Sequence, residues 1–114
     1  MSAWKHQRRD NLKLLTQEIR KKFPKLAETE KIPAEEKVVV AKFFHPCGSW
    51  TWYACEFVGK DMFFGLVDGF ELEWGYFSLR ELESINEPFE LGIERDLYFG
   101  MPKIKDVSAL KGRI

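Results

Sequence analysis

Glu56, Asp68, Glu94 and Asp96 are acidic residues on or beside apolar segments of the sequence, and Arg95 stands between the last two. Two carboxylates facing one pocket can do general acid–base chemistry. An arginine beside them would clamp an anionic substrate with its planar fork of donors. Together these residues define one activity to test, that of a small hydrolase or transferase. On an extended strand, however, Glu94 and Asp96 point one way and Arg95 the other. Arg95 must then find its carboxylate elsewhere. Glu56 is the expected partner, in a bridge that sets strand order rather than a reacting pair.

The soft ligands near the middle of the chain are His45, Cys47 and Cys55. A structural zinc site takes four ligands from paired Cys and His spacings, and here a fourth would have to come from Glu56 or Asp61, so no metal is expected. A catalytic thiol needs a thiolate held against an imidazole, whereas an apolar setting raises a thiol's pKa and makes it inert. The plain reading is Cys55 in the core, Cys47 in a turn and His45 as a surface imidazole. The glycines form neither a Walker spacing nor a G-x-G-x-x-G fingerprint, and no cofactor is expected. They read as turn and bulge positions.

Aromatic residues make up 15% of the chain, with ten Phe, four Trp and three Tyr. Exposed rings on a sheet can stack on single-stranded nucleic acid when Lys and Arg surround them. Between Trp50 and Phe77, however, Lys60 is the one base, against Glu56, Asp61, Asp68, Glu71 and Glu73. Trp50, Trp52, Trp74 and Tyr76 are therefore read as a binding patch for a protein partner or ligand. The 18 bases and 18 acids cancel, which argues against a whole-molecule field, but they are unevenly placed. Residues 1–25 carry eight bases against two acids, a net +6, while residues 71–96 carry eight acids against Arg80 and Arg95, a net −6. The basic segment, residues 5–25 with Arg8, Arg9, Lys21 and Lys22, offers weak nucleic-acid binding as a further reading.

The elements that must position these residues follow from pattern. Leu12, Leu15, Ile19 and Phe23 recur at helical spacing. Thr16 is placed to cap a shorter helix over Gln17–Lys22, which Pro24 ends. Polar residues from Lys25 to Lys37 read as a surface connection. Aromatic and β-branched residues between turn signals predict strands at Val38–Phe44, Trp50–Val58, Met62–Val67 and Trp74–Phe77, with a fifth at Glu94–Phe99. In the second, Trp50, Trp52 and Ala54 face one side, and Thr51, Tyr53, Cys55 and Phe57 the other. Ser78 with Glu81 three residues on forms a capping box for a short helix, and a helical turn is expected around Val107–Leu110. The fold class is α+β: a mainly antiparallel sheet of four to five strands, an N-terminal helix and a short helix after strand four. The expected division is a basic extension over 1–15, a single domain over 16–99 and a tail over 100–114. No stretch approaches the roughly 20 apolar residues of a membrane span, and the basic N-terminus lacks a signal peptide's apolar centre. A cytoplasmic protein with no membrane contact is expected.

Several short motifs stand in order along these elements: Leu14-Leu15-Thr16, Ala41-Lys42-Phe43-Phe44, Trp50-Thr51-Trp52-Tyr53, Phe63-Phe64-Gly65-Leu66-Val67, Gly75-Tyr76-Phe77-Ser78-Leu79 with Glu81-Leu82-Glu83, and Ile93-Glu94-Arg95-Asp96. In this combination the chain resembles, over about residues 14 to 99, the bacterial family known as domain of unknown function 2958. The resemblance implies a small single-domain protein of the kind found on plasmids and other mobile elements, and it implies no particular reaction. The leading expectation is a non-enzymatic binding module that recruits a protein partner through the aromatic patch, the acidic surface or both.

Overall fold

The ring of Phe63 lies 5.3 Å from Phe43, 4.9 Å from Phe57 and 5.4 Å from Phe77, and Phe23 closes over it at 5.6 Å. These five rings are drawn from four strands and the N-terminal segment, and they form the centre of the larger core. Burying one such ring stabilises the fold by roughly 2–3 kcal/mol. The computed structural model describes residues 14–87 and 90–114, apart from the side chains of Leu26 and Ala27. Leu12, Arg8 and Arg9 lie outside the described residues.

Five strands, β1 (Ala41–Phe44), β2 (Thr51–Val58), β3 (Met62–Asp68), β4 (Leu72–Ser78) and β5 (Glu94–Arg95), form one antiparallel sheet in the order β4-β3-β2-β1-β5. The fold class is α+β, as the pattern indicates. The N-terminal helix α1 is one turn, Gln17–Arg20, and the Thr16 hydroxyl accepts from the Ile19 N–H at 3.2 Å. Helix α2 (Leu79–Ser84) starts at Ser78, whose hydroxyl accepts from the Glu81 N–H at 2.9 Å. Asp61, from the β2–β3 turn, supports the same helix start: its carbonyl accepts from the Leu79 N–H and its carboxylate from the Arg80 N–H. The first strand is shorter than the expected Val38–Phe44, because Val39 donates to the Pro102 carbonyl and Val38 bridges to Lys103. Residues 38–39 thus pair with the C-terminal segment. The last strand is two residues long rather than six.

Alternation breaks in β2. Ala54 pairs with Gly65 and Glu56 with Phe64, leaving Cys55 as an extra residue in a β-bulge. An extra residue turns the rest of its strand over. Phe57 therefore joins Trp52 and Ala54 on the face of the larger core, instead of sharing a face with Tyr53 and Cys55. That face is covered by Leu14, Leu15, Ile19 and Phe23 before β1 and by Leu79, Leu82 and Ile85 between β4 and β5. The opposite face is covered by the C-terminal segment. Two 3-10 turns, Ile104–Asp106 and Ser108–Leu110, set Ile104, Val107 and Leu110 against Val39, Tyr53, Cys55 and Leu66. Lys103 and Lys105 tie this segment to Glu36, at 3.0 and 2.6 Å. Arg113 closes it with two 2.9 Å bonds to the Asp68 carboxylate. Aromatics can lie on both faces of β2 because each face has its own cover.

Candidate aromatic docking site

The four aromatic residues of the expected patch separate into two places. Trp52 is core, 8% exposed. Trp50, half-buried just before β2, packs on it with ring centroids 5.9 Å apart. Phe70, at the β3–β4 turn, meets Trp50 edge-on at 5.2 Å and is 95% exposed. Beside this group opens a cavity of about 400 Å³ walled by Trp50, Trp52, Ile85 and Ile93, with His45 and Glu87 at its side. Trp74 and Tyr76 lie on the other face of the sheet, on the edge strand β4, with Phe64 at 5.8 and 5.1 Å from their rings. Tyr76 is exposed there.

His45 is not a surface imidazole but is 7% exposed. Its Nδ1 accepts from the Cys47 N–H at 3.0 Å, and its Nε2 lies 2.5 Å from the Glu87 carbonyl oxygen. An accepting Nδ1 places the ring proton on Nε2, which then donates to Glu87. The ring thereby ties the β1–β2 turn to the segment after α2, and so holds two walls of the cavity together. The sequence placed His45 at the surface and did not single out Phe70, Ile85, Glu87 or Ile93 for this site. Phe70 carried a legible signal, since a large apolar residue directly after an Asp-Gly turn has no strand face to bury it.

Of the candidate carboxylates, Glu56 and Asp68 stand apart from each other and from Glu94 and Asp96 on the far edge of the sheet. Glu56, 3% exposed, faces Lys37, with Oε2 3.8 Å from Nζ. Lys37 also donates to the Thr29 carbonyl at 2.5 Å. Burial raises the Glu56 pKa, and Lys37 opposes the shift. Arg95 is not its partner: Arg95 pairs with Phe43 on β1 and shares that residue's face, while the bulge turns Glu56 to the opposite face two strands away. Asp68 is held by Arg113 and sits four residues along β3 from the position opposite Glu56, roughly 13 Å at strand rise. Asp96 pairs with Lys42 at 3.8 Å. Arg95 and Asp96 do line a common groove of about 540 Å³ with Glu18 and Lys22. Glu94, on β5 between Ile93 and Arg95, pairs with Phe44. Lys21 and Lys22 follow α1 and are exposed.

Cys47 is exposed and Cys55 buried, both as free thiols, and burial pushes the Cys55 thiol up to about 12. At that value it is not a nucleophile near neutral pH. Among the described residues no three His, Cys, Asp or Glu side chains come together as a metal site. Nor is any helix there long and apolar enough to cross a membrane.

The family model described as protein of unknown function, DUF2958, matches residues 14–108. The chain belongs to that family. Neither a search of the curated proteins nor one of the solved structures returns a match. The DUF2958 match runs nine residues past Phe99, through the first C-terminal 3-10 turn and into the second, so Ile104 and Val107 fall within the family's pattern. Trp50, Trp52, Phe70 and His45 all lie inside it. The description of the DUF2958 family assigns no reaction or ligand.

Proposed function

We propose that this chain is a non-enzymatic binding module, acting in the bacterial cytoplasm in the mobile-element setting that the family resemblance implies. It recruits a protein partner through Trp50, Trp52 and Phe70. The observation that carries this reading is the apolar cavity of about 400 Å³ with the exposed Phe70 ring packed on its Trp50 wall. A preformed apolar cleft with a few fixed polar groups is the usual form of a binding site. Phe70, 95% exposed beside it, gains little from folding and adds apolar area for a partner to cover.

Partner capture from the native host, with Phe70→Ser and Tyr76→Ser compared against the unaltered chain, tests the reading. Both side chains are exposed, so both variants keep the fold. The captured protein should be lost with Phe70→Ser and kept with Tyr76→Ser. Loss that tracks Tyr76 would move the interface to the other face, and capture unchanged in both would remove the docking role.

The hydrolase or transferase reading keeps one place, the groove where Arg95 and Asp96 lie with Glu18 and Lys22. It requires an activity that Asp96→Asn abolishes. Nucleic-acid binding through residues 5–25 would show affinity that falls steeply with salt and weakens when Arg8, Arg9, Lys21 and Lys22 are neutralised.

A further inference from the structure

We propose that the cavity beside Trp50 and Trp52 receives an arginine side chain from the partner protein. This rests on the reading of that cavity as the docking site and specifies the chemistry of what enters it.

Three observations converge on a cation. The first is the wall, to which Trp50 and Trp52 contribute together with Ile85 and Ile93; no Lys or Arg lines it among the described residues. Indole faces carry negative potential and attract a guanidinium or ammonium within about 6 Å. Among the described residues the recorded cation–ring contacts lie elsewhere, Arg20 over Phe57 at 5.2 Å and Lys42 over Phe99 at 5.2 Å. The second is acidic charge, in the lining itself and near the Trp50–Phe70 contact. Glu87 lines the cavity and is exposed. Glu71 follows Phe70, and Glu73 lies on the Trp52 face of the sheet, since Trp52 pairs with Val67 and Val67 with Glu73; both are exposed. The third is His45, whose ring nitrogens are both engaged, one accepting from Cys47 and one directed at Glu87. It offers no free acceptor that would select a neutral donor.

Arginine fits better than lysine. Its guanidinium is planar, weakly hydrated and stacks on an aromatic face, while an ammonium is compact and holds its water. A cavity of about 400 Å³ accommodates a guanidinium with its three-carbon stem.

The test uses the full chain and three five-residue peptides that differ at the central position: arginine, citrulline as its neutral isostere, and norleucine. The readout is the set of indole N–H signals in a two-dimensional nitrogen–proton spectrum, with the Trp50 signal assigned through Trp50→Phe. The arginine peptide should shift the Trp50 and Trp52 signals and leave Trp74 in place. Citrulline should bind about tenfold more weakly, the scale of a cation–π contact. Glu87→Gln should weaken the arginine peptide severalfold and leave citrulline unchanged. Equal binding of all three peptides at Trp50 would overturn the arginine assignment and leave the docking site standing. Arginine-peptide shifts confined to Trp74, or absent at every indole, would overturn it too. If Phe70→Ser also left partner capture intact, the docking site itself would fail with it.

Discussion

Gly69 lies directly beneath the ring of Trp50: a Cβ built on Gly69 would stand 2.4 Å from the ring's Cζ3 atom. The indole therefore rests on bare backbone on one side, with Phe70 at its edge. Gly69→Ala should push the Trp50 ring out of place, because no real Cβ approaches so closely. The expected stability loss is about 1–2 kcal/mol, that of a modest overpacking. The Trp50 indole signal should move while the core signals of Phe63 and Phe43 stay. Partner capture should fall as with Phe70→Ser, and unaltered capture would show that the ring's position is unimportant.

Gly65 and Gly75 face each other across β3 and β4 and should respond in opposite ways. A Cβ on Gly65 would sit 1.9 Å from the Tyr53 carbonyl oxygen, a backbone atom of the bulged strand that cannot swing aside. Above Gly75 there is open space. Gly65→Ala should cost about 3 kcal/mol or prevent folding, whereas Gly75→Ala should stay within about 1 kcal/mol and tend to stabilise by restricting the unfolded chain. Urea midpoints of the two variants decide the matter. Equal losses would mean that the close approach at the bulge does not exist in solution.

Lys37 and Glu56 give the fold a pH dependence of definite sign. Burial holds the folded-state pKa of Glu56 above its ordinary value, so between those two values the folded protein binds more protons than the unfolded one. Stability therefore falls as pH rises through that window, and the penalty is complete above the folded value. Lys37→Met removes the cation that opposes this shift. The variant should lose about 3 kcal/mol at pH 7, the cost of a buried charge left without its partner, and should regain part of that on acidification towards the ordinary carboxylate pKa. The double variant Lys37→Met with Glu56→Leu should be more stable than Lys37→Met alone. Urea titrations at pH 5 and 7 check both statements, and a Lys37→Met loss equal at the two pH values would contradict them.

Local signals carried most of the fold. The crowding of aromatic and β-branched residues marked β2, β3 and β4, and Thr16 and Ser78 cap the helices that their side chains announced. Long-range register was not visible in this way. Nothing near Cys55 distinguishes a bulge from plain alternation, so the faces of Glu56 and Phe57 could not be read, nor the separation of Glu56 from Arg95. That Trp50 and Trp52 belong to one strand segment and Trp74 and Tyr76 to another was legible, but their division between two faces depends on how those strands pair through β3. Ile104, Val107 and Leu110 are spaced by three, the period of a 3-10 helix. That spacing was available in the sequence, although so short an apolar set within a charged segment does not by itself say that a second sheet face awaits it.

That spacing leads to a prediction about where the folding unit ends. Ile104 and Leu110 are almost wholly inaccessible to solvent, and they cover Val39, Tyr53 and Leu66. Leu110→Ala would leave a void in this smaller core, with an expected loss of about 3 kcal/mol. A chain ending at Phe99 would uncover the entire face and also release Val38 and Val39 from Lys103 and Pro102. It should fail to give a dispersed spectrum or a cooperative unfolding transition. Arg113→Ala, by contrast, removes the clasp on Asp68 without opening the core. It should leave the urea midpoint nearly unchanged while speeding amide exchange in residues 104–113, because an exposed ion pair adds little to global stability but holds the end of the segment against local opening. If the chain ending at Phe99 folds with an unchanged midpoint, the segment after it is an appendage. If it does not, the domain expected over 16–99 needs the C-terminal turns to be complete.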